Sequence, residues 1–271
     1  MLAVAVAAHD AQRRPTHIHR NDRVQPVGLA GPTDVFDRLT CTMYPRLRHE
    51  RHHGTSLDAH AEQRGQWFRP MTTFLFIRHG LTDAVGVVMA GQAAGVHLNT
   101  IGREQVATLP ARIGTAPVAA LYTSPLERTR ETAQAIADAR GLRVAIEPRF
   151  IEVDFGDWTG RRFADLTSDP HWQLYNAVRG VTRAPQGESL LDVQHRAVEA
   201  VLELHDRHPN DVVAVVSHAD TIRAILQYFL GIPIDFVQRL ELSPARISVV
   251  QLGQGMPHVL QINGDTLPSF A

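Results

Sequence analysis

Thr73-Phe74-Leu75-Phe76-Ile77-Arg78-His79-Gly80 is an apolar, β-favouring run that passes without polar interruption into Arg-His-Gly. A short continuous apolar run closed by a glycine turn is the pattern of a strand buried on both faces of a parallel sheet. In open α/β sheets, ligands sit just beyond the carboxyl ends of such strands. Arg78, His79 and Gly80 therefore fall at the sheet's functional edge. A cation, an imidazole and a residue that lets the backbone approach closely suit an anion. Taken alone, the tripeptide equally suits a strand-end histidine bonded to a loop, and the motifs further along decide between the two.

Upstream of this strand the text changes character. Residues 1–70 show neither a helical nor a strand period, and carry His17, His19, His49, His52, His53 and His60 among scattered Pro and Gly. Such a segment buries too little apolar area to offset ordering entropy, so it is expected to be disordered. The patterned sequence begins directly after Pro70-Met71, which makes Met71 the expected natural start, or residues 1–70 dispensable. His49, His52 and His53 are too loosely spaced, without acidic or thiolate partners, to outweigh a solvated tail as a metal site. The opening Leu2 to Ala8 imitates a signal peptide but lacks a basic start and a cleavage site.

Composition narrows the classes. The chain has 271 residues, 44% hydrophobic and 20% charged, enough for one good core. A net charge of -1 gives no global field for nucleic acid or a membrane surface. The single cysteine, Cys41, excludes a disulfide framework. No apolar run approaches the ~20 residues of a membrane span. The expectation is a cytoplasmic protein, and oligomeric state is not legible.

Downstream, strands alternate with helices. Leu81 to Val96 reads as a loop, and Asn99 or Thr100 caps a helix with Leu109 and Ile113 on its apolar face. Ala119 to Thr123 is a strand running into Ser124-Pro125-Leu126-Glu127, which has the form of a capping box opening a helix to Gly141. Val144 to Ile146 is a short strand, and a helix runs from Ser189 to about His208. Asp211 to His218 contains another buried strand, followed by a helix from about Asp220 to Leu230 that Gly231 and Pro233 stop. Ile247 to Leu252 and His258 to Ile262 close the sheet. The fold class is α/β, a three-layer α/β/α sandwich whose central sheet is mostly parallel, with room for an antiparallel edge strand.

Three strands thus end in reactive groups: His79, the Ser124 turn leading to Arg128, and His218. If parallel neighbours, they share one rim. Arg78 and Arg128 each offer a planar fork to phosphate oxygens, with Arg128 in a first helical turn that already favours anions. Two histidines among arginines make a poor cation site and a good phosphate site.

Arg78-His79-Gly80, Ser124-Pro125-Leu126-Glu127-Arg128-Thr129 with Glu131-Thr132-Ala133, Glu152-Val153-Asp154-Phe155-Gly156-Asp157-Trp158-Thr159-Gly160 and Ser217-His218 together resemble the histidine phosphatase superfamily, the phosphoglycerate mutase-like group. The resemblance covers Met71 to about Ile262, and the Glu152 stretch is most similar to the phosphatase branch, including α-ribazole and broad-specificity phosphatases. It implies a phosphohistidine intermediate on a small phosphorylated metabolite, with no metal and no cofactor. His79 is then the nucleophile and Glu152 the acid that protonates the leaving alkoxide. His218 completes the catalytic set, and Arg78, Arg128 and Thr82 bind the phosphate. Asp154 and Asp157 compete with Glu152 for the acid's place. A phosphomutase of the phosphoglycerate mutase type is the alternative, and a non-catalytic binding module stands further off. Two departures appear: Val85 where the family often has asparagine, and Ala219-Asp220 where it often has glycines. The second departure puts Asp220 near the site, with capping of the helix that follows as its expected job. The segment from Arg161 to Arg183, with Trp172, Tyr175 and Arg179, resembles a lid, and its aromatic and basic residues suit a substrate with a second anionic or planar part; a solvated arginine face is an equal reading.

Overall fold

The computed structural model describes residues 71–253 and 255–269. The expectations for residues 1–70 (disorder, a dispensable extension, a histidine metal site) lie outside the described residues. In chain order the elements are β1 (Thr72–Arg78), α1 (Thr100–Ala107), α2 (Leu109–Ile113), β2 (Val118–Thr123), α3 (Glu127–Arg140), β3 (Val144–Ile146), α4 (Phe163–Leu166), α5 (Pro170–Ala177), α6 (Leu190–Arg207), β4 (Val212–Ser217), α7 (Ala219–Leu230), β5 (Ile247–Leu252) and β6 (His258–Gly264).

The strands form one six-stranded sheet in the order β3-β2-β4-β1-β5-β6. β1 pairs parallel with β4 and antiparallel with β5. β2 pairs parallel with β3 and β4, and β6 antiparallel with β5. β5 alone therefore runs against the rest, one place in from the edge that β6 forms. The apolar run of β1 is explained by cover on both faces. Phe74 and Phe76 pack with Val213, Val215 and the apolar stripes of α6 and α7. Leu75 and Ile77, pointing the other way, pack with Ala214, Val216 and residues of α1, α2 and α3. All four β1 side chains are fully buried, each stabilising the fold by about 1.5–3 kcal/mol. A third cluster, including Phe155, Trp158, Tyr175 and Val237, lies beneath the segment after Glu152.

Local signals explain most boundaries. Asn99 caps α1, its side chain accepting from Gly102 N at 2.8 Å. The expected single helix there is broken at Thr108, with Pro110 in the first turn of α2; Leu109 and Ile113 are buried as expected. Ser189 and Asp192 form a reciprocal capping box on α6.

The capping box expected at Ser124 is not formed. α3 begins three residues later, at Glu127, with Leu126 extended (φ -76, ψ 148) at its N-cap. The Ser124 hydroxyl is instead taken by His218, whose Nε2 lies 2.7 Å away. Asp220 likewise does not cap α7. The N-cap is His218, with no side-chain cap bond, and the Asp220 carboxylate turns to two arginines described below.

Candidate active site

Register brings the three strand ends together. Arg78 stands opposite Ser217 in the β1–β4 ladder, and Thr123 opposite Val216 in the β2–β4 ladder. Beyond the ladders, His79 N donates to Ser217 O and Ser124 N to Val216 O, each at 3.0 Å. His79, Ser124 and His218 thus share the carboxyl rim of the sheet. Gly80 is needed here for close packing: a Cβ on it would stand 2.8 Å from both Gly102 O and Val106 Cγ1. Gly80 N donates to Thr132 Oγ1, which donates to Arg128 O, so the turn after His79 is tied to the first turn of α3.

His79 is 5% exposed, and its ring meets that of His218 at 5.3 Å, inclined by 63°. Its Nδ1 lies 2.7 Å from Gly80 O. A carbonyl only accepts, so Nδ1 carries the proton and Nε2 keeps its lone pair. Burial, then Arg128 and Arg78, pull the imidazole down to about 3. It is therefore neutral at physiological pH.

The cations are fixed by carbonyls. Arg128 is 2% exposed; Nη2 donates to Gly91 O at 2.7 Å, while Nη1 is buried without a partner. Arg78 Nη1 donates to Leu242 O, and its Nε is buried without a partner. His218 is fully buried, with its Nδ1 unpartnered; burial, then Arg128, push it well below the ordinary imidazole value. These unsatisfied donors around one neutral imidazole call for a ligand rich in acceptor oxygens.

Glu152 faces the same space. Its Oε1 accepts from Val153 N at 3.1 Å, from Thr221 N at 3.3 Å and lies 3.2 Å from Thr221 Oγ1. Burial and the neighbouring Asp220 push its carboxyl above the usual carboxylate range, despite the Val153 N–H bond and the pull of Arg128 and Arg78. Its rivals face elsewhere: Asp154 Oδ1 accepts from Gly156 N, and Asp157 is exposed. Arg78, His79, Thr82, Arg128 and Glu152 line one cavity of about 370 Å³. Thr82 is buried on its wall, and Val85 lines it with an apolar side chain.

The far wall comes from the segment after Glu152. Phe163, Trp172, Asn176 and Arg179 line the cavity. α5, which carries Trp172 and Asn176, opens on Asp169, whose side chain accepts from His171 N and Trp172 N, followed by Pro170, and Arg179 lies just past its end. Trp172 stacks on Tyr175 at 6.0 Å, and Arg179 sits over the Tyr175 ring at 5.2 Å. Thr221 and Arg223 are residues at the site that sequence reasoning did not single out, and Ser124 was read as a helix cap, not as a partner of His218. Among the described residues, no group of three or more His, Cys, Asp or Glu side chains is placed to hold a metal ion.

A mostly parallel sheet with a buried neutral imidazole, two guanidiniums and a carboxyl shifted upward by burial at its carboxyl rim defines the class of phosphoryl-handling α/β proteins. The chain belongs to the histidine phosphatase superfamily (branch 1), whose family model matches residues 74–265. It is 28% identical over 204 residues to phosphoserine phosphatase 1 of Hydrogenobacter thermophilus, covering 71% of this chain and 92% of that one. It is 30% identical over 186 residues to a Yersinia enterocolitica protein named probable phosphoglycerate mutase GpmB, covering 66% and 85%. Among solved structures, a mycobacterial glucosyl-3-phosphoglycerate phosphatase in complex with VO3 superposes with a TM-score of 0.64 at 28% identity, covering 71% of this chain and 98% of that one. The relatives are thus phosphatases with a phosphomutase among them.

Proposed function

We propose that this histidine phosphatase hydrolyses a small phosphate monoester through a phosphohistidine at Nε2 of His79. The observation that carries the reading is the His79 ring, locked by Gly80 O with its lone pair free beside guanidinium donors that lack partners. In the first step the Nε2–P bond forms as the bond from phosphorus to the leaving oxygen breaks, and Glu152 gives that oxygen its proton. Arg78, Arg128 and His218 stabilise the equatorial oxygens, with Thr82 on the same wall. In the second step water attacks phosphorus and gives a proton to the Glu152 carboxylate. The N–P bond breaks with its electron pair returning to Nε2. Every proton and electron pair is supplied by these residues, which makes the proposed reaction metal-independent.

A cavity of about 370 Å³ lies at the small end of ligand pockets and supports a small phosphorylated metabolite as substrate. The aromatic wall of Phe163 and Trp172 supports a leaving group with an apolar or planar part. No described helix is long and apolar enough to cross a membrane, in keeping with the cytoplasmic location we propose. The decisive experiment is phosphate release from a panel of phosphorylated metabolites and an aryl phosphate by wild type and His79→Ala, with and without EDTA. We expect His79→Ala to be inactive and EDTA to leave wild type unaffected. Equal rates for the two proteins would remove the phosphohistidine, and inhibition by EDTA reversed by added metal would remove the metal-free reading. Isomerisation of a monophosphoglycerate without phosphate release would move the chain to the mutases.

A further inference from the structure

Asp220 is a charged residue on the cavity wall that the proposed steps leave without a task. It is the second residue of α7, yet its carboxylate is held side-on between two arginines. Oδ2 lies 3.3 Å from Arg179 Nη1, and Oδ1 accepts from Arg223 Nη1 at 2.9 Å. Each arginine is itself anchored: Arg179 Nη2 donates to Asn176 Oδ1 at 2.6 Å, and Arg223 Nε to Leu240 O at 2.7 Å. The clamp fixes where the charge sits, with only 14% of the Asp220 side chain exposed. The very next residue, Thr221, turns its N–H to Glu152 Oε1. One turn of α7 therefore holds both the Glu152 carboxyl and an immobile negative charge on the same wall.

We propose that Asp220 is a positioning residue for Glu152: clamped by Arg179 and Arg223, it sets a fixed negative charge beside the acid and so retains the proton that the leaving group needs. The inference rests on the reading of Glu152 as the acid. The groups facing Glu152 are Arg78 from β1, Arg128 from α3, Asp220 from α7 and the Tyr175 ring from α5. The two arginines favour the ionised form. Burial and Asp220 favour the neutral one and prevail. Asp220 itself stays ionised: burial works to raise it, but Arg179 and Arg223 hold it below the usual range. An unclamped carboxylate at the same place would share the proton with Glu152, as paired acids do. The clamp assigns it to Glu152.

The test is the pH dependence of kcat/KM on glycerol 2-phosphate, whose alkoxide needs a proton, and on 4-nitrophenyl phosphate, whose phenolate needs it less. In Asp220→Asn the alkaline limb on glycerol 2-phosphate is expected to move toward acid by about one pH unit. That means about a tenfold loss above the limb, with a smaller loss on the aryl ester. Asp220→Glu keeps the charge and is expected to keep the limb. A folded Asp220→Asn protein with the wild-type limb, or an Asp220→Glu protein shifted as far as Asp220→Asn, overturns the proposal. If Asp220→Asn does not fold, Arg179→Gln carries the test with the opposite sign, because loss of a cation moves the limb toward alkali; an unmoved or acid-shifted limb overturns the proposal. Glu152→Gln separates the two levels of argument. Full activity of Glu152→Gln on glycerol 2-phosphate removes the assignment of the acid itself. A selective loss there, with no shift in Asp220→Asn, removes only the role of Asp220.

Discussion

Arg128 has one guanidinium nitrogen committed to Gly91 O and another buried with no partner. Leaving a charged donor unsatisfied is costly unless a ligand completes it, so the residue is built for an occupied state. Arg128→Ala is expected to lower kcat by ~10²–10³-fold, measured by steady-state phosphate release, with a fold unchanged by circular dichroism. A loss below tenfold would place Arg128 outside the transition-state contacts. The proposed site residues His79, Glu152, His218, Arg78, Arg128 and Thr82 could all be nominated from the sequence, because each sits in or beside a short motif. Arg223 and Thr221 were not nominated, and Asp220, rightly placed near the site, was misread as a helix cap. A helix-start aspartate followed three residues later by arginine is locally a cap and an ion pair. What redirects it is Arg179, 41 residues earlier in the chain, and no local rule reports that approach.

Two helix starts with similar sequence signatures behave differently. At α6 both halves of the capping box are local: Asp192 N donates to Ser189 Oγ at 3.3 Å, and Ser189 N to Asp192 Oδ2 at 2.8 Å. Ser189→Ala is expected to cost about 1 kcal/mol, read as a lowered urea midpoint at constant slope. No change would mean that packing of α6 alone fixes its start. At Ser124 the same signature fails because the hydroxyl is claimed by His218, 94 residues away in sequence. The strands and long helices were legible because their periodicity reports burial directly, as at Phe74 to Ile77. The short α5 was not, since the Asp169-Pro170 start marks a boundary without saying what the helix covers.

For the molecule as a whole, the buried imidazoles couple the site to stability. The folded value of His79, about 3, lies below the 6.5 of an exposed imidazole. Above pH 6.5 neither state is protonated there. Below it the unfolded chain takes up a proton that the folded one refuses, so stability falls as pH drops from 6.5 toward 3. At pH 5 this one ring accounts for about 2 kcal/mol, and His218 acts in the same direction. Urea unfolding at pH 7 and pH 5 is expected to show a loss that is smaller by about that amount in His79→Asn; equal losses would mean that the ring is not held neutral. We also propose that residues 71–271 suffice for folding and catalysis, since every site element lies between Thr72 and Gly264. Removing residues 1–70 is expected to leave kcat/KM within about twofold, and a collapse of activity would assign those residues a role.

Among the described residues β1 is the first strand made, and both its neighbours come late: they are β4 and β5, so Thr73 waits for Val212 and Thr72 for Leu252. A ribosome therefore extrudes Phe74 to Ile77 long before either partner exists, and the nascent chain carries bare hydrocarbon through most of its synthesis. Translation halted short of Ile247 leaves that strand open on one side, so incomplete products are expected as chaperone clients or aggregates instead of partly working enzyme.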